Sequence, residues 1–330
     1  MAWPLGIGGS VRPYHPSWLL PGPHLPTIWG KKMRFRPPVH DRTLQVALPD
    51  GDAVTLARVG VPTAGVPHLL VLHGLEGTIR AKYAHGLLAL AKARGWSGDL
   101  MLFRTCDGRM NAARRMYHSG DTQDVDVVIR QLATAAPNTP IVACGISLGG
   151  NVLAKWLGEQ GGDACRYLHR AAVVSVPYDL AAGARFLERG FSRLYVRHFL
   201  GTLRAKALAK LRQYPGAFDE QRVVQARTFW EFDDAVTAPL HGFAGAADYY
   251  DRSSSAHVLG NIRVPTLAMS ALDDPIVPPE STAKVVAAAR ENQAISTHIT
   301  DRGGHVGWVE GSVWPMRFYM ESSVVEFLAQ

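Results

Sequence analysis

Several sequence features are missing from this chain of 330 residues, and each absence excludes a class of protein. No run of 18 or more apolar residues occurs, so we expect no membrane-spanning helix. Residues 1–16 lack a charged stretch followed by an apolar one, which argues against a signal peptide. The three cysteines are irregularly spaced and offer neither a disulfide framework nor a zinc ligand set. The expected location is therefore the cytoplasm.

Motifs for cofactors and nucleic acids are missing as well. The sequence has no HExxH, GxGxxG, P-loop or CxxC motif, so we expect no metal ion and no other cofactor. The formal net charge of +7 comes without a block of arginine and lysine, and we expect no nucleic acid partner. An apolar content of 47% with 19% charged residues is ordinary for a globular enzyme.

The strongest pattern in the chain lies at residues 140–151. An apolar run rich in β-branched residues predicts a buried strand, and it ends in Gly145-Ile146-Ser147-Leu148-Gly149. Apolar residues then recur at helical spacing. A G-x-S-x-G pentapeptide between a strand and a helix is typical of a nucleophile elbow, because the glycines let the two elements approach around a strained serine. The alternative is a glycine-rich turn with an inert serine.

The rest of the chain predicts an α/β fold with a mainly parallel, doubly wound sheet. Residues 43–59 alternate about a turn and predict a hairpin at the edge of the sheet. From His68 onward, strand-like and helix-like segments alternate, which favours parallel strands with helices on both faces. A segment from about residue 177 to about residue 261 interrupts this alternation, and we interpret it as an inserted helical cap. The predicted organisation is an N-terminal arm, 1–42, packed on a domain, 43–330, that contains the cap.

Two later loops supply the partners that a nucleophilic serine needs, an imidazole and the carboxylate that holds it. Asp274 and His305 each lie just after a predicted strand, and they follow Ser147 in the order expected after a nucleophile elbow. Taken singly, an aspartate before proline is more often a turn residue, and His305 is one of 13 histidines. Their joint order predicts the catalytic triad Ser147, Asp274 and His305, with Asp273 as the reserve acid.

An oxyanion hole requires two N–H donors that face the developing negative charge. The residue after the nucleophile supplies one donor, here Leu148. The loop after the predicted strand at 69–72 supplies the other, which we assign to Leu75, with Glu76 as the alternative. His73 in the same loop is then structural rather than a base.

Four arginines at a spacing of four residues form a basic stripe if their segment is one continuous helix, which Gly190 would break. A solvated face is one interpretation, and contact with anionic lipid headgroups is the other. Aromatic residues interleave with the stripe and predict either a plain cap core or an acyl-chain pocket. The stripe consists of Arg185, Arg189, Arg193 and Arg197, and the aromatic residues are Phe186, Phe191, Tyr195 and Phe199.

Short motifs from His24 to the end of the chain carry a family resemblance. They are His24-Leu25-Pro26-Thr27-Ile28, His73-Gly74-Leu75-Glu76-Gly77, Phe103-Arg104, Tyr117-His118-Ser119-Gly120, 145–153, Glu231-Phe232-Asp233-Asp234, 237–243, Tyr249-Tyr250, Asp273-Asp274-Pro275 and Gly303-Gly304-His305-Val306-Gly307. On these motifs the chain resembles the YheT-like branch of the α/β-hydrolases. That branch also holds embryogenesis-associated hydrolases of plants and hydrolase-domain lipases of mammals.

The resemblance implies an α/β-hydrolase fold and a serine esterase or lipase whose triad falls on Ser147, Asp274 and His305. It also implies substrates among short-chain carboxylesters, monoacylglycerols or, in some animals, phospholipids. Pro26 replaces the glutamine that is usual in the family, and residues 105–110 replace a version richer in glycine and glutamate. Neither departure touches the triad, but both bear on the substrate pocket.

We therefore predict a carboxylic ester hydrolase with an acyl-enzyme intermediate, acting on small-molecule or lipid esters with short or medium chains. One alternative is acyl transfer or thioester hydrolysis on the same triad, although the H-x4-D motif of acyltransferases is absent. The other alternative is a lipid-binding module without catalysis, which an intact triad disfavours. Peripheral membrane contact through the cap and the oligomeric state stay open.

Overall fold

The computed structural model describes residues 12–34, 39–311 and 316–330. The predicted N-terminal arm is thus described only in part, because its residues 1–11 and 35–38 lie outside these ranges. The strands are β1 (Arg42–Ala47), β2 (Ala53–Val59), β3 (His68–Leu72), β4 (Ser97–Leu102), β5 (Ile141–Ile146), β6 (Arg170–Val174), β7 (Thr266–Ala271), β8 (Ile295–Thr300), β9 (Val309–Glu310) and β10 (Arg317–Phe318).

Helices separate most of the strands. They are α1 (His24–Lys32), α2 (Lys82–Ala93), α3 (Gln123–Ala135), α4 (Leu148–Gln160), α5 (Leu180–Leu187), α6 (Arg193–Gln213), α7 (Glu220–Gln225), α8 (Phe229–Phe232), α9 (Ala238–His241), α10 (Ala246–Ser253), α11 (Pro279–Glu291) and α12 (Tyr319–Leu328). A single π-helical turn, Asp233–Thr237, joins α8 to α9.

Eight strands form one sheet in the order β1-β2-β4-β3-β5-β6-β7-β8. β1 and β2 form the predicted antiparallel hairpin at one edge, β2 pairs antiparallel with β4, and the remaining pairs are parallel. The predicted α/β class with a mainly parallel sheet is confirmed. Because parallel strands end at the same edge of a sheet, the loops after β3, β5, β7 and β8 meet there.

Apolar cores cover both faces of the sheet, as β3 illustrates. Leu70 and Leu72 pack into the core on one face, whereas Leu69 and Val71 pack into the core on the other. All four side chains are fully buried. A strand that is buried on both faces needs apolar residues at every position, which explains the continuous run in the sequence.

The segment between β6 and β7, which we call the cap, contains helices α5 to α10 and no strand. The chain turns between α5 and α6, where Gly190 adopts a φ of 53°. The four arginines of the predicted stripe therefore do not share one helix, since Arg185 lies on α5 and Arg193 begins α6. Among the helices of the described ranges, none combines the length and the apolar character that crossing a membrane requires.

The N-terminal arm contacts the C-terminal part of the chain. The N–H of Ser17 donates to the carbonyl oxygen of Val309 at 2.9 Å. Farther along, Arg34 Nη1 lies 3.1 Å from Glu321 Oε1 on α12, and both side chains are almost completely buried. Burial of both charges makes this pairing sensitive to the loss of either partner.

The turn between β5 and α4 has no room for side chains at its glycines. A Cβ atom at Gly145 would lie 2.5 Å from the carbonyl oxygen of Gly149. A Cβ atom at Gly149 would lie 2.4 Å from the carbonyl oxygen of His73 and 2.6 Å from that of Leu72. The close approach of strand, helix and β3 thus requires glycine, as the sequence pattern indicates.

We expect Gly149→Ala to lower the free energy of unfolding by about 2 kcal/mol or more, because the methyl group would press on backbone atoms. The matched control is Gly201→Ala on α6, where a Cβ atom meets nothing within 4 Å. That control should be neutral or stabilise the protein by up to about 1 kcal/mol through helix propensity. Denaturant unfolding of both variants measures the difference, and equal effects would contradict the packing described here.

Candidate active site

Ser147 sits in a strained backbone conformation at the start of α4. Its φ of 54° and ψ of −119° lie outside the regions that residues with a side chain ordinarily adopt. The N–H of Ser147 donates to the carbonyl oxygen of Val174 on β6 at 2.8 Å. Such a conformation persists only where the surrounding structure holds it, and it is often found at active sites.

His305 connects the serine to an acid. His305 Nε2 lies 3.0 Å from Ser147 Oγ, and Nδ1 lies 2.8 Å from Asp274 Oδ2 and 3.1 Å from Oδ1. With Nδ1 donating to the carboxylate, Nε2 carries the lone pair that can accept the serine proton. The structure thus brings together the three residues of the predicted triad in the geometry of a nucleophile, a base and an orienting acid.

The two adjacent aspartates have different contacts. Asp274 Oδ1 accepts the N–H groups of Ile276 at 2.8 Å and Val277 at 3.0 Å, which orients its carboxylate toward the histidine. Asp273 Oδ1 instead accepts the N–H of Gly304 at 2.8 Å. Burial raises the pKa of Asp273, whereas the backbone hydrogen bond from Gly304 opposes this effect. Asp274 is therefore the acid that contacts His305. Asp273 instead anchors the loop that carries His305.

Helix α1 of the arm packs on the histidine loop. The N–H of His305 donates to Thr27 Oγ1 at 2.8 Å, and the Thr27 hydroxyl donates to the carbonyl oxygen of Pro23 at 2.7 Å. Gly304 has a φ of 61°, and a Cβ atom there would lie 2.6 Å from both Pro23 O and Thr27 Oγ1. Composition alone predicted no function for the arm, although Thr27 lies in one of the motifs that carry the family resemblance.

Arg34 adds a second contact between the arm and this loop. Its Nη2 donates to the carbonyl oxygens of Val306 at 2.9 Å and Gly307 at 3.2 Å. Because Arg34 also pairs with Glu321, it links the histidine loop to α12. Sequence reasoning missed this residue, since a lone arginine carries no local signal of a partner nearly 300 residues away.

Two N–H groups of the loop after β3 already have side-chain acceptors. The N–H of Gly74 donates to Tyr83 Oη at 2.9 Å, and that of Glu76 donates to Tyr117 Oη at 3.0 Å. The alternative oxyanion donor, Glu76, is thus already engaged. Among the described residues, the N–H of Leu75 meets no such acceptor. A Cβ atom at Gly74 would lie only 3.2 Å from Ser147 Cβ, so the loop lies directly against the serine.

Leu148 is the second predicted donor. It is the first residue of α4. The first N–H groups of a helix lack acceptors within the helix and lie at the positive end of its dipole. The amides of Leu75 and Leu148 therefore belong to backbone segments that flank Ser147.

His73 stabilises the loop after β3. Its Nδ1 donates to the carbonyl oxygen of Gly74 at 2.7 Å, and its Nε2 accepts the N–H of Phe103 at 3.2 Å. Burial lowers the pKa of His73 to about 4, so the ring is neutral at physiological pH. A neutral ring with both nitrogens engaged has a structural role.

An ion pair joins the cap to the same loop. Glu76 Oε1 accepts the Tyr117 hydroxyl at 2.7 Å and Lys206 Nζ at 2.6 Å. Lys206 lies on α6 of the cap, and the side chains of Glu76 and Lys206 are only 8% and 20% exposed. Glu76 has a φ of 54°, a conformation that a residue with a side chain rarely adopts. Sequence reasoning missed Lys206, because nothing near it in the chain indicates this partner.

A cavity of about 480 Å³ lies between the sheet and the cap, and Ser147 and His305 line it. Apolar side chains from the cap form much of its wall. Of the four aromatic residues that the sequence singled out, Tyr195 and Phe199 line the cavity, whereas Phe191 is exposed. Apolar lining residues from the cap include Leu180, Leu187, Leu203, Phe229, Phe232, Val236 and Leu240.

The described ranges contain no group of three or more histidine, cysteine, aspartate or glutamate side chains that could hold a metal ion. What the arrangement can do chemically is acyl transfer from an ester to the serine, because it combines a polarised hydroxyl, a base and free amides beside an apolar cavity.

Comparisons with known proteins support an ester-hydrolysing enzyme. The family described as serine aminopeptidase, S33, matches residues 113–311. The putative esterase YheT of Escherichia coli K12 is 38% identical over 92% of this chain and 88% of its own length. A monoacylglycerol lipase of Saccharomyces cerevisiae is 30% identical over 73% of this chain and 55% of its own length.

A solved structure shows the same fold at lower sequence identity. The esterase Pf2001 of Pyrococcus furiosus superposes with a TM-score of 0.56 at 15% identity, over 87% of this chain and 91% of that one. Three observations lead to one assignment: the order of the strands in the sheet, the match to the serine aminopeptidase S33 family, and the extent of the similarity to YheT. The chain belongs to the serine aminopeptidase S33 family and, within it, to the YheT-like α/β-hydrolase esterases.

Proposed function

We propose that this protein hydrolyses carboxylic esters through Ser147, His305 and Asp274, with an acyl-enzyme intermediate. The observation that carries the proposal is the continuous hydrogen-bond chain from Ser147 Oγ to His305 Nε2 and from His305 Nδ1 to Asp274. A hydroxyl, an imidazole and a carboxylate in this order convert a weak nucleophile into an effective one.

The reaction begins when His305 Nε2 takes the proton of Ser147 and Ser147 Oγ attacks the ester carbonyl carbon. Asp274 holds the ring and stabilises the imidazolium that forms. The amides of Leu75 and Leu148 donate to the oxyanion of the tetrahedral intermediate. His305 then protonates the leaving alcohol, and the serine remains acylated. Water, deprotonated by the same ring, releases the carboxylic acid and restores the serine.

The cavity supports substrates with an apolar acyl chain, such as short- or medium-chain carboxylesters or monoacylglycerol-type lipids. Its walls are mostly apolar where the cap covers it, and such walls favour burial of hydrocarbon. The printed name of the yeast relative, monoacylglycerol lipase, supports the same class. The cytoplasmic location and contact of the cap with a membrane surface stay predictions, the latter supported by exposed Phe191 and Leu194 beside exposed Arg193 and Arg197.

Acyl transfer to another acceptor and thioester hydrolysis would use the same first step. They differ in what attacks the acyl-enzyme or in which bond breaks, so the present contacts favour neither over ester hydrolysis. A lipid-binding module without catalysis would not need the strained backbone of Ser147 or its contact with His305.

We expect Ser147→Ala to reduce the hydrolysis of p-nitrophenyl esters by roughly 1,000-fold or more, since the nucleophile is lost. The assay covers acyl chains from acetate to palmitate, and wild-type turnover should be highest where the chain fits the cavity. Circular dichroism should show an unchanged fold in the variant. Retention of wild-type turnover by Ser147→Ala would contradict the proposal.

We also expect Lys206→Met to lower kcat by about tenfold with little change in KM. The substitution leaves the buried Glu76 carboxylate without its cation, which strains the loop that carries the Leu75 amide. The control is Lys92→Met, which removes an ion pair whose partners are both about half exposed and should leave kcat unchanged. Steady-state kinetics on one ester measure kcat and KM of the two variants. Equal kcat values for Lys206→Met and Lys92→Met would contradict this role for Lys206.

A further inference from the structure

The π-helical turn Asp233–Thr237 lies in the cap segment that also carries motifs of the family resemblance. Single π turns within helices are rare, and they occur frequently at functional sites. The mechanism above uses no residue of this turn. Asp233, Val236 and Thr237 nevertheless line the same cavity as Ser147. The turn is therefore a candidate for a role in the cavity other than that of the triad.

Asp233 is bonded to hydroxyl groups rather than to a cation. Its Oδ1 accepts the Thr237 hydroxyl at 2.5 Å, and its Oδ2 accepts the Tyr250 hydroxyl at 2.7 Å. Its neighbour Asp234 differs, because Asp234 Oδ2 pairs with Arg222 at 2.6 Å and its side chain does not line the cavity. Two adjacent carboxylates thus have separate roles, one in the cavity and one at the surface.

The carboxylate of Asp233 can accept more hydrogen bonds than it receives. An ionised carboxylate offers about four acceptor sites, and Thr237 and Tyr250 occupy two. Burial raises the pKa of Asp233 to about 6, and the hydrogen bonds from Thr237 and Tyr250 oppose this effect only in part. The carboxylate is therefore mostly ionised at neutral pH, although its negative charge is less stable there than in water. A further hydrogen-bond donor in the cavity would stabilise it.

The surroundings favour a neutral donor over a cationic one. Within the described ranges, the acidic residues that line the cavity are Asp233 and Glu76, and Glu76 is already paired with Lys206. Lys31, Arg80 and Lys82 also line the cavity and give it a positive field. That field disfavours an ammonium group, whereas a hydroxyl group bears no net charge.

We propose that Asp233 forms a subsite that binds a hydroxyl group of the substrate, so that the enzyme prefers hydroxylated esters to plain alkyl esters. The proposal rests on the proposed ester hydrolysis and deepens it. Apolar walls cannot distinguish strongly between a substrate and its hydroxylated analogue, but a buried acceptor can. The hydroxyl group can belong to the alcohol, as in a monoacylglycerol, or to a hydroxylated acyl chain.

The test compares Asp233→Asn with the matched control Asp234→Asn. For each protein, kcat/KM is measured on a 1-monoacylglycerol, on the methyl ester of the same fatty acid and on the methyl ester of its hydroxylated form. We expect the wild-type preference for one hydroxylated ester over the plain methyl ester to fall about tenfold in Asp233→Asn, through KM, because a neutral amide oxygen replaces a charged acceptor. The plain methyl ester should change less than twofold, and Asp234→Asn should keep the wild-type preference.

Which hydroxylated ester loses its preference identifies the alcohol part or the acyl part as the source of the hydroxyl group. A parallel fall on all three esters would indicate a purely structural role and overturn the proposal. The absence of any preference in the wild-type protein would overturn it as well.

Calorimetric binding of non-hydrolysable ethers separates this proposal from the proposed function. The probes are a 1-O-alkylglycerol, a hydroxylated alkyl methyl ether and the plain alkyl methyl ether. If no ester is hydrolysed, the proposed function fails, and tighter binding of a hydroxylated ether that Asp233→Asn weakens about tenfold still supports the subsite. Equal binding of all three ethers by the wild-type protein would overturn it.

Discussion

The backbone conformation of Ser147 is the constraint on which the rest of the structure depends. A serine with a φ of 54° between a buried strand and a helix is stable only if both elements are fixed on all sides. The parallel sheet fixes β5 between β3 and β6, and the glycines at 145 and 149 let α4 reach the backbone of the β3 loop. The same sheet edge then presents the acid and histidine loops to the serine.

Segments distant in the sequence maintain the geometry around this serine. The N-terminal arm supports the histidine loop through Thr27 and Arg34, and the cap supports the loop after β3 through Lys206. Each contact reaches a backbone segment that positions a group beside Ser147 rather than the reacting atoms themselves. The arm and the cap therefore both contribute contacts to the site on the body.

The sequence predicted the fold because its signals are local: continuous apolar runs for strands buried on both faces and glycine where no Cβ fits. It also predicted which residues would meet at Ser147, since parallel strands bring their carboxyl ends together. The contacts of Thr27 with His305, 278 residues apart, and of Lys206 with Glu76, 130 apart, leave no local pattern. The arginine stripe depended on one continuous helix, and this condition is not met because the chain turns at Gly190 between α5 and α6.

Covalent labelling with a fluorophosphonate probe tests the central claim most directly, because such probes react with serines that a neighbouring base activates. After digestion, peptide mass spectrometry locates the adduct. The account predicts a single adduct on Ser147 that blocks ester hydrolysis in proportion to labelling and that is lost in His305→Ala. An adduct on another serine, or complete hydrolytic activity in protein labelled at Ser147, would contradict it.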